Sequence, residues 1–524
     1  MSGAYVGSEL ESEFGKIPPS FLPLGNRRLF QHQVALAPEG VDVFLSLPDS
    51  FEMSDIDRKW LRGNQVTILM VPEKLSLGAS LVAALNISGN DLSKPLHVLY
   101  GDTLYRKLPI GNNIASTSQV KDGYTWAGIS NDNINWLENI SSSSGSNINK
   151  IIDGYFKFNN SRELIRCITQ TEWDFIKGLN CYHQSIGLIA VESNSWFDFG
   201  HVNTYYRSKA EFTTQRAFNE LKITSKWVEK SSYVDKKIGA EANWFETIPV
   251  EMKGNTPQFL GSKDVNGKIS YRLEYLHLTA LNELFVFSKL PNHIWKQILE
   301  NCLDFIELCR GFVEVGSNST NTLDNLFSEK TRFRLNEYCE SNGVNLNQKW
   351  EFNDSKSVTL SDILQCSEKH LPKQNEKNTV LHGDFCFSNI LYDFRADKVK
   401  TIDPRGMTPQ GEKTIYGDTN YDLAKLSHSI LGLYDWIIAG YYQVEIKGSN
   451  IRLNIANEDD HSEIQQMFID LVKYKFGLTA QHLYAMQIQL FLSMLPLHSD
   501  DINRQNALFA NTFRLYEILV GLDK

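Results

Sequence analysis

The sequence predicts an α/β chain of at least two domains, helical in its C-terminal part. Three observations predict it. Short apolar strands at residues 41–47, 66–71 and 96–100 alternate with polar or helical segments such as 78–85, the pattern of a parallel sheet wrapped by helices. Residues 380–406 read strand, loop, strand, turn, strand, and set two carboxylates and a carboxamide in order along the way. The last third carries apolar stripes at helical spacing. A length of 524 residues accommodates two to four domains at roughly 100–200 residues each.

Composition narrows the function classes. The chain is 42% hydrophobic and 22% charged, with a formal net charge of -10 and no basic block. That balance argues against a nucleic-acid surface. No apolar run reaches the length of a membrane span, and the best candidate, 430–442, is interrupted by Asp435. The first residues lack the basic-then-apolar pattern of a signal peptide. Seven cysteines, an odd number with no CxxC pair, read as free thiols in a reducing cytoplasm.

In the first domain, the strand at 96–100 ends in Gly101-Asp102-Thr103, an acid at the carboxyl edge where ligands bind in open α/β sheets. Phe21–Gly25 forms a Leu-Pro-Leu-Gly turn, Gly78-Ala79-Ser80 opens an apolar helix, and Trp196-Phe197-Asp198-Phe199-Gly200-His201 supplies a second acid. Together these resemble the sugar-phosphate nucleotidyltransferases. The resemblance implies a Rossmann-like nucleotide-diphospho-sugar transferase fold, a base-contacting loop at Gly78–Ser80, and metal ligands at Asp102 and Asp198, with CTP or UTP as the nucleotide. Two positions depart from that family. Glu9 stands where its loop arginine belongs, and Pro18-Pro19 where its Pro-Lys belongs. A carboxylate there repels phosphate. Nucleotidyl transfer and a domain that only binds or scaffolds are both open on this reading.

The serine-rich patch at 141–146 reads as a loop inside the first domain, and residues 203–221 as a helix with a stripe at Tyr206, Ala210, Ala217 and Leu221. The boundary is placed at 212. The expected domains are thus 1–212, a small lobe at 213–276 and a large lobe at 277–524.

The small lobe opens with a strand-like run at 223–230, and a helix begins near Asp235. Phosphoryl transfer uses a strand lysine on the α- and β-phosphates and a helix glutamate to hold it. Lys230 and Glu241 suit those roles, with Glu246 as a rival partner. The run at 270–276 (SYRLEYL) resembles the strand and hinge between the lobes of kinases, and that resemblance implies that the backbone of Glu274 to Leu276 lies beside adenine. A helix at 278–290 and another at 295–309, striped by Ile298, Cys302, Phe305 and Cys309, follow. Residues 316–321 are polar. The helix at 330–342 carries the cations Lys330, Arg332 and Arg334, which either reach a phosphorylated substrate or, the favoured reading for most of them, are solvated surface.

The 380–406 stretch holds the chemistry. His382-Gly383-Asp384 leaves one strand, Asn389 follows five residues later, and the strand at 399–402 delivers Asp403. One carboxylate can orient or deprotonate an attacking hydroxyl, while a carboxamide and a second carboxylate suit magnesium. The pattern H-G-D-x4-N-I-L followed by I-D-x-x-G resembles the aminoglycoside phosphotransferase and choline kinase family, which shares its core with protein kinases. The resemblance implies a bilobal protein-kinase-like fold, ATP as donor, Asp384 as catalytic base, and Asn389 and Asp403 as magnesium ligands. It also implies that Asp422, in Tyr421-Asp422-Leu423-Ala424, braces the catalytic loop. Arg405 is left to pair with a nearby acid or to contact substrate. The remaining segments, a capping-box pattern at Ser462–Gln465 with a stripe at Met467, Leu471 and Tyr474, then 478–495 and 503–520, read as helices.

The reading is therefore an ATP- and magnesium-dependent kinase acting on a hydroxyl of a small molecule, fused to a nucleotidyltransferase-like domain. That pairing suits the making of nucleotide-linked precursors of surface glycans. A nucleotide- or sugar-binding scaffold is the alternative.

Overall fold

The computed structural model describes residues 1–119, 124–130, 136–140, 150–193, 195–214, 221–233, 236–316, 325–373, 377–456 and 461–523. The serine-rich patch at 141–146, Ala217, Asp235 and the polar residues 317–321 lie outside them. The chain divides into two compact units, Met1–Phe212 with Phe287–Lys289, and Thr213–Val286 with Leu290–Lys524.

In the first unit, the strands Val43–Pro48 and Val66–Val71 pair in parallel. The apolar helix Leu77–Ser88 follows, started by Ser76, whose hydroxyl accepts from the Ala79 amide at 3.3 Å. The larger sheet is mixed where a parallel one was expected. Its centre is the nine-residue strand Lys150–Phe158, which runs antiparallel to Leu96–Leu99 and to Ile114–Gln119. Only Ile189–Glu192 lies parallel to Ile114–Gln119. Phe156 and Phe158 on the central strand, Leu164 and Ile168 on Ser161–Gln170, and Tyr182 on Phe175–Ser185 fill the core beside it. A short antiparallel pair, Thr103–Tyr105 with Trp196–Asp198, joins the two acid-bearing segments.

The second unit is α/β and two-lobed. Its small lobe is an antiparallel sheet ordered Leu221–Ile223, Trp227–Ser232, Lys268–Glu274, Phe259–Val265, with the helix Lys236–Thr247 against it. The run expected as one strand at 223–230 is a hairpin, turned at 224–226. The large lobe is mostly helical. Asn292–Arg310 buries Ile298, Cys302, Phe305 and Cys309, as the sequence spacing requires. Three short strands, Thr279–Ala280, Ile390–Asp393 and Lys398–Thr401, form a sheet next to the loop 382–389.

Two expectations fail in the large lobe. Tyr442–Lys447 and Asn450–Ile455 form a hairpin that joins Lys349–Phe352 in a four-stranded sheet, so the region is not all helix. In Ser462–Phe476 the buried face is Ile464, Phe468, Val472 and Phe476, one residue from the expected stripe, and Tyr474 is 88% exposed. The helix starts at Ser462 itself, with His461 as N-cap, so no capping box forms; Gly477 ends it in the left-handed conformation, as expected. No helix among the described residues is long and apolar enough to cross a membrane. All seven cysteines are free.

Candidate active site

Local structure brings the predicted residues of 380–406 together. The edge pair Thr379–Val380 with Tyr416–Gly417 aims the chain into His382. His382 is fully buried and bridges the loop: Nε2 donates to the Ile402 carbonyl at 3.0 Å, which leaves Nδ1 to accept from the Asp384 amide at 3.3 Å. Burial pushes its imidazole down to about 4, so it stays neutral. The Asp422 carboxylate accepts the His382 and Gly383 amides, each at 2.8 Å. These bonds fix the backbone from which the Asp384 side chain projects.

Asp384 is held from two sides. Asn389 Nδ2 donates to its carbonyl at 2.9 Å and to its Oδ2 at 3.1 Å. Lys425, one turn into the helix Asn420–Ile430, lies 2.9 Å from Oδ1. Burial alone would raise the Asp384 carboxyl, but Lys425, then Arg405 and His382, outweigh it and hold the group well below the usual carboxylate range. Asp384 remains 36% exposed, open to a reactant.

Across the site, Lys230 Nζ lies 3.1 Å from Glu241 Oε2 and 2.5 Å from Asp403 Oδ1. Burial would lower the lysine, but Asp403 and Glu241 outweigh it and keep it charged. Glu241 is only 1% exposed and also accepts from the Tyr271 hydroxyl at 2.5 Å. Glu246, the rival partner, sits instead beside Lys253. Asp403 has a positive φ of 57°, a conformation Asp tolerates better than most residues. The donor set suits magnesium. With the Asn389 amide hydrogens spent on Asp384, its remaining polar atom is an oxygen, and Asp403 adds a carboxylate, so both donors are hard oxygens.

The expected adenine-facing backbone divides in two. The Glu274 amide donates to Gln258 O at 2.9 Å and the Tyr275 amide to Lys226 O at 3.0 Å, so neither donor is free. Leu276 forms no backbone hydrogen bond with any described residue. The Glu274 side chain is exposed and lines a separate cavity of about 410 Å³ with Lys253, Gln258 and Lys400.

The first unit brings Asp102 and Asp198 together. A Cβ placed on Gly200 would stand 2.8 Å from Asp102 Oδ2 and 3.3 Å from Asp198 Oδ1, so only glycine leaves room for both. Gln33 pins the acid-bearing turn by donating to the Tyr100, Gly101 and Thr103 carbonyls at 3.1, 3.0 and 2.8 Å. Burial raises the Asp102 carboxyl, against the pull of the Met1 amino group and His201. Gly78–Ser80 is the first turn of a helix, with Gly78 packed on the Trp173 backbone. Glu9 is exposed on the helix Ser8–Phe14, and Lys16, the nearest substitute cation, pairs with Glu73 at 3.3 Å.

Sequence reasoning missed Lys425 and Tyr271. Lys425 stands three residues after Asp422, and a lysine so close to a loop-bracing acid was the available signal. Nothing local marks Tyr271, whose partner is 30 residues away.

No family model and no curated protein matches the chain. Solved structures do resemble it, in two kinds. One kind includes a nucleoside-diphosphate-sugar pyrophosphorylase from Vibrio cholerae RC9 (12% identity, TM-score 0.33, covering 40% of this chain and 98% of that one). An inositol-1-phosphate CTP transferase from T. maritima is similar too (16% identity, TM-score 0.29, 39% and 91% covered). The other kind includes a thermostable mutant of aminoglycoside phosphotransferase APH(4)-Ia in ternary complex with ADP and hygromycin B (12% identity, TM-score 0.36, 59% and 97% covered).

Proposed function

We propose that the second unit is an ATP- and magnesium-dependent kinase that phosphorylates a hydroxyl of a small molecule, a sugar, polyol or amino alcohol. The observation that carries this reading is the grouping of Lys230, Glu241 and Asp403 on one side with Asp384 and Asn389 on the other. Asp384 orients the acceptor hydroxyl. As a new bond forms from that oxygen to the γ-phosphorus and the bond to the departing ADP breaks, the hydroxyl proton passes to the Asp384 carboxylate. Lys230, steadied by Glu241, receives the α- and β-phosphates, and the free backbone of Leu276 meets adenine. Asn389 and Asp403 would hold magnesium, which neutralises charge on the phosphates.

The first unit would bind a nucleotide, CTP or UTP, with Asp102 and Asp198 as metal ligands. Pairing a kinase with nucleotidyl transfer suits a nucleotide-linked precursor of a surface glycan. A binding role without transfer is favoured by one observation: Glu9, where the resembled family has its loop arginine, is a carboxylate exposed on the helix Ser8–Phe14, and Lys16 is tied to Glu73.

The test supplies ATP and magnesium with a panel of sugars, polyols, glycerate, choline and ethanolamine, and compares the native chain with Asp384→Ala. Acceptor-dependent ADP that falls by about 100-fold or more in the variant is expected for loss of a general base. ADP release that Asp384→Ala leaves intact would overturn the kinase. Added CTP or UTP should then yield pyrophosphate if the first unit transfers, and bind without pyrophosphate if it does not.

A further inference from the structure

Near Asp384 stands a group of cations, apart from Lys230, that the proposed contacts to the donor do not use. Arg405 crosses from the end of the Lys398–Thr401 strand to the helix Asn420–Ile430. Its guanidinium donates to the Tyr421 hydroxyl at 2.9 Å and stacks 4.8 Å from the Tyr421 ring centroid. No carboxylate among the described residues forms an ion pair with it. Phe327 packs against that ring, 5.6 Å between centroids, and Lys330, three residues on, lies near enough to interact with Tyr421. Lys330 is half-buried and has no ion pair among the described residues. Its two neighbours on the helix Lys330–Asn342 are committed elsewhere: Arg332 to Glu368, and Arg334 to the Ser493 carbonyl.

The charge count is lopsided. Arg405, Lys425 and Lys330 converge on Tyr421; of the two carboxylates that act on Arg405, Asp384 is paired with Lys425 and Asp422 accepts two backbone amides, and neither forms an ion pair with Arg405. Lys330 responds to the crowding: burial, and then Arg405, Arg334 and Lys425, lower it despite Tyr421. Partly desolvated cations that lack an ion pair of their own, as Arg405 and Lys330 do among the described residues, are costly, and a bound anion would offset that cost. Arginine offers a planar fork that fits a carboxylate or a phosphate.

We propose that the acceptor itself carries an oxyanion, a carboxylate or a phosphate ester, and that Arg405 and Lys330, grouped around Tyr421, hold it so that its hydroxyl meets Asp384. This rests on the kinase reading of the site and narrows it. Cationic acceptors such as choline and aminoglycosides are repelled; hydroxy acids and phosphorylated polyols are selected.

The experiment uses the full chain and acceptors of one skeleton: glycerol, glycerate and glycerol phosphate, with choline as the cationic member. Either anionic compound should be preferred over glycerol by about 10- to 100-fold in kcat/KM, the range of one or two charge-assisted hydrogen bonds. Whichever is preferred identifies carboxylate or phosphate as the group. Lys330→Gln, which breaks no internal pair, should raise the acceptor KM by about tenfold and leave the KM for ATP within about twofold. Glycerol or choline used as well as the anions would overturn this inference and leave the kinase standing. So would a Lys330→Gln defect that falls on ATP. No turnover of any acceptor removes the kinase reading instead, and calorimetry then decides the cation group by itself. Glycerate or inorganic phosphate should bind the ADP-saturated native chain and bind about tenfold more weakly to Lys330→Gln; no binding of either overturns the proposal.

Discussion

Tyr421 is the residue whose setting departs furthest from its type. It is 1% exposed, and burial alone would raise its hydroxyl. Arg405, Lys425 and Lys330 reverse that and bring it down to about 7 from the ordinary 10. An acid whose folded value is depressed adds stability that is fully present above its unfolded value and is lost as pH falls through the folded one. Relative to Tyr421→Phe, the native chain should therefore gain stability between pH 7 and pH 10 by about 1 kcal/mol per pH unit. Thermal unfolding of the two proteins across that window checks it. The ultraviolet titration should also show one phenol ionising near neutrality that the variant lacks. None of this was legible in the sequence. Tyr421 and Asp422 stood in a motif, but the cations come from positions 330, 405 and 425, and only folding puts them on one ring. The order H-G-D, Asn389, Asp403, by contrast, sits within 22 residues and could be read directly, because one local hairpin holds all of it.

At the scale of elements, the catalytic loop and the small-lobe helix are fitted through a backbone contact. Gly406 has φ of 63°, and a Cβ there would stand 2.3 Å from the Ala240 carbonyl oxygen. Ala240 precedes Glu241, so anything that pushes this helix away moves the partner of Lys230. Gly406→Ala should cost about 1–3 kcal/mol in urea unfolding, and should weaken nucleotide binding as the Lys230–Glu241 pair shifts. The elements that the sequence misplaced share a physical reason. In 442–455 every second residue is apolar, Tyr442, Val444 and Ile446 against Ile451, Leu453 and Ile455, with a Gly448-Ser449 turn between. That is strand periodicity, passed over because the surrounding segments are helical. In 462–476 the apolar residues are dense enough for two adjacent faces to look continuous, and only the packing partner selects Ile464 and Phe468 over Met467 and Leu471. The mixed sheet of the first unit was read as parallel because strand existence, unlike strand direction, leaves a local mark in the sequence.

At the scale of the whole chain, the two acid clusters lie in separate compact units. Asp102→Asn should abolish any pyrophosphate release yet leave acceptor-dependent ADP formation within about twofold, and Asp384→Asn should do the converse, since substitutions without shared partners act independently. Assaying both reactions on both variants of the full chain checks it. The α/β class and the kinase-like and nucleotidyltransferase-like parts were legible because each rests on a short ordered motif. The proposed anionic acceptor was legible only in part: Arg405 and Lys330 stand out as cations in the sequence, but their grouping around Tyr421 depends on elements far apart in it.

The ion pair between Lys230 and Asp403 has a thermodynamic consequence. Without ligands each charge satisfies the other. On the proposed function, a nucleotide that arrived alone would claim the lysine and strand the carboxylate, and a metal that arrived alone would strand the lysine. Together they would replace both halves of the pair, so their binding is expected to be synergistic. By linkage the factor by which magnesium tightens ATP must equal the factor by which ATP tightens magnesium. Calorimetric titrations in both orders should return one number, of about 5- to 150-fold, and Asp403→Asn should bring it close to one.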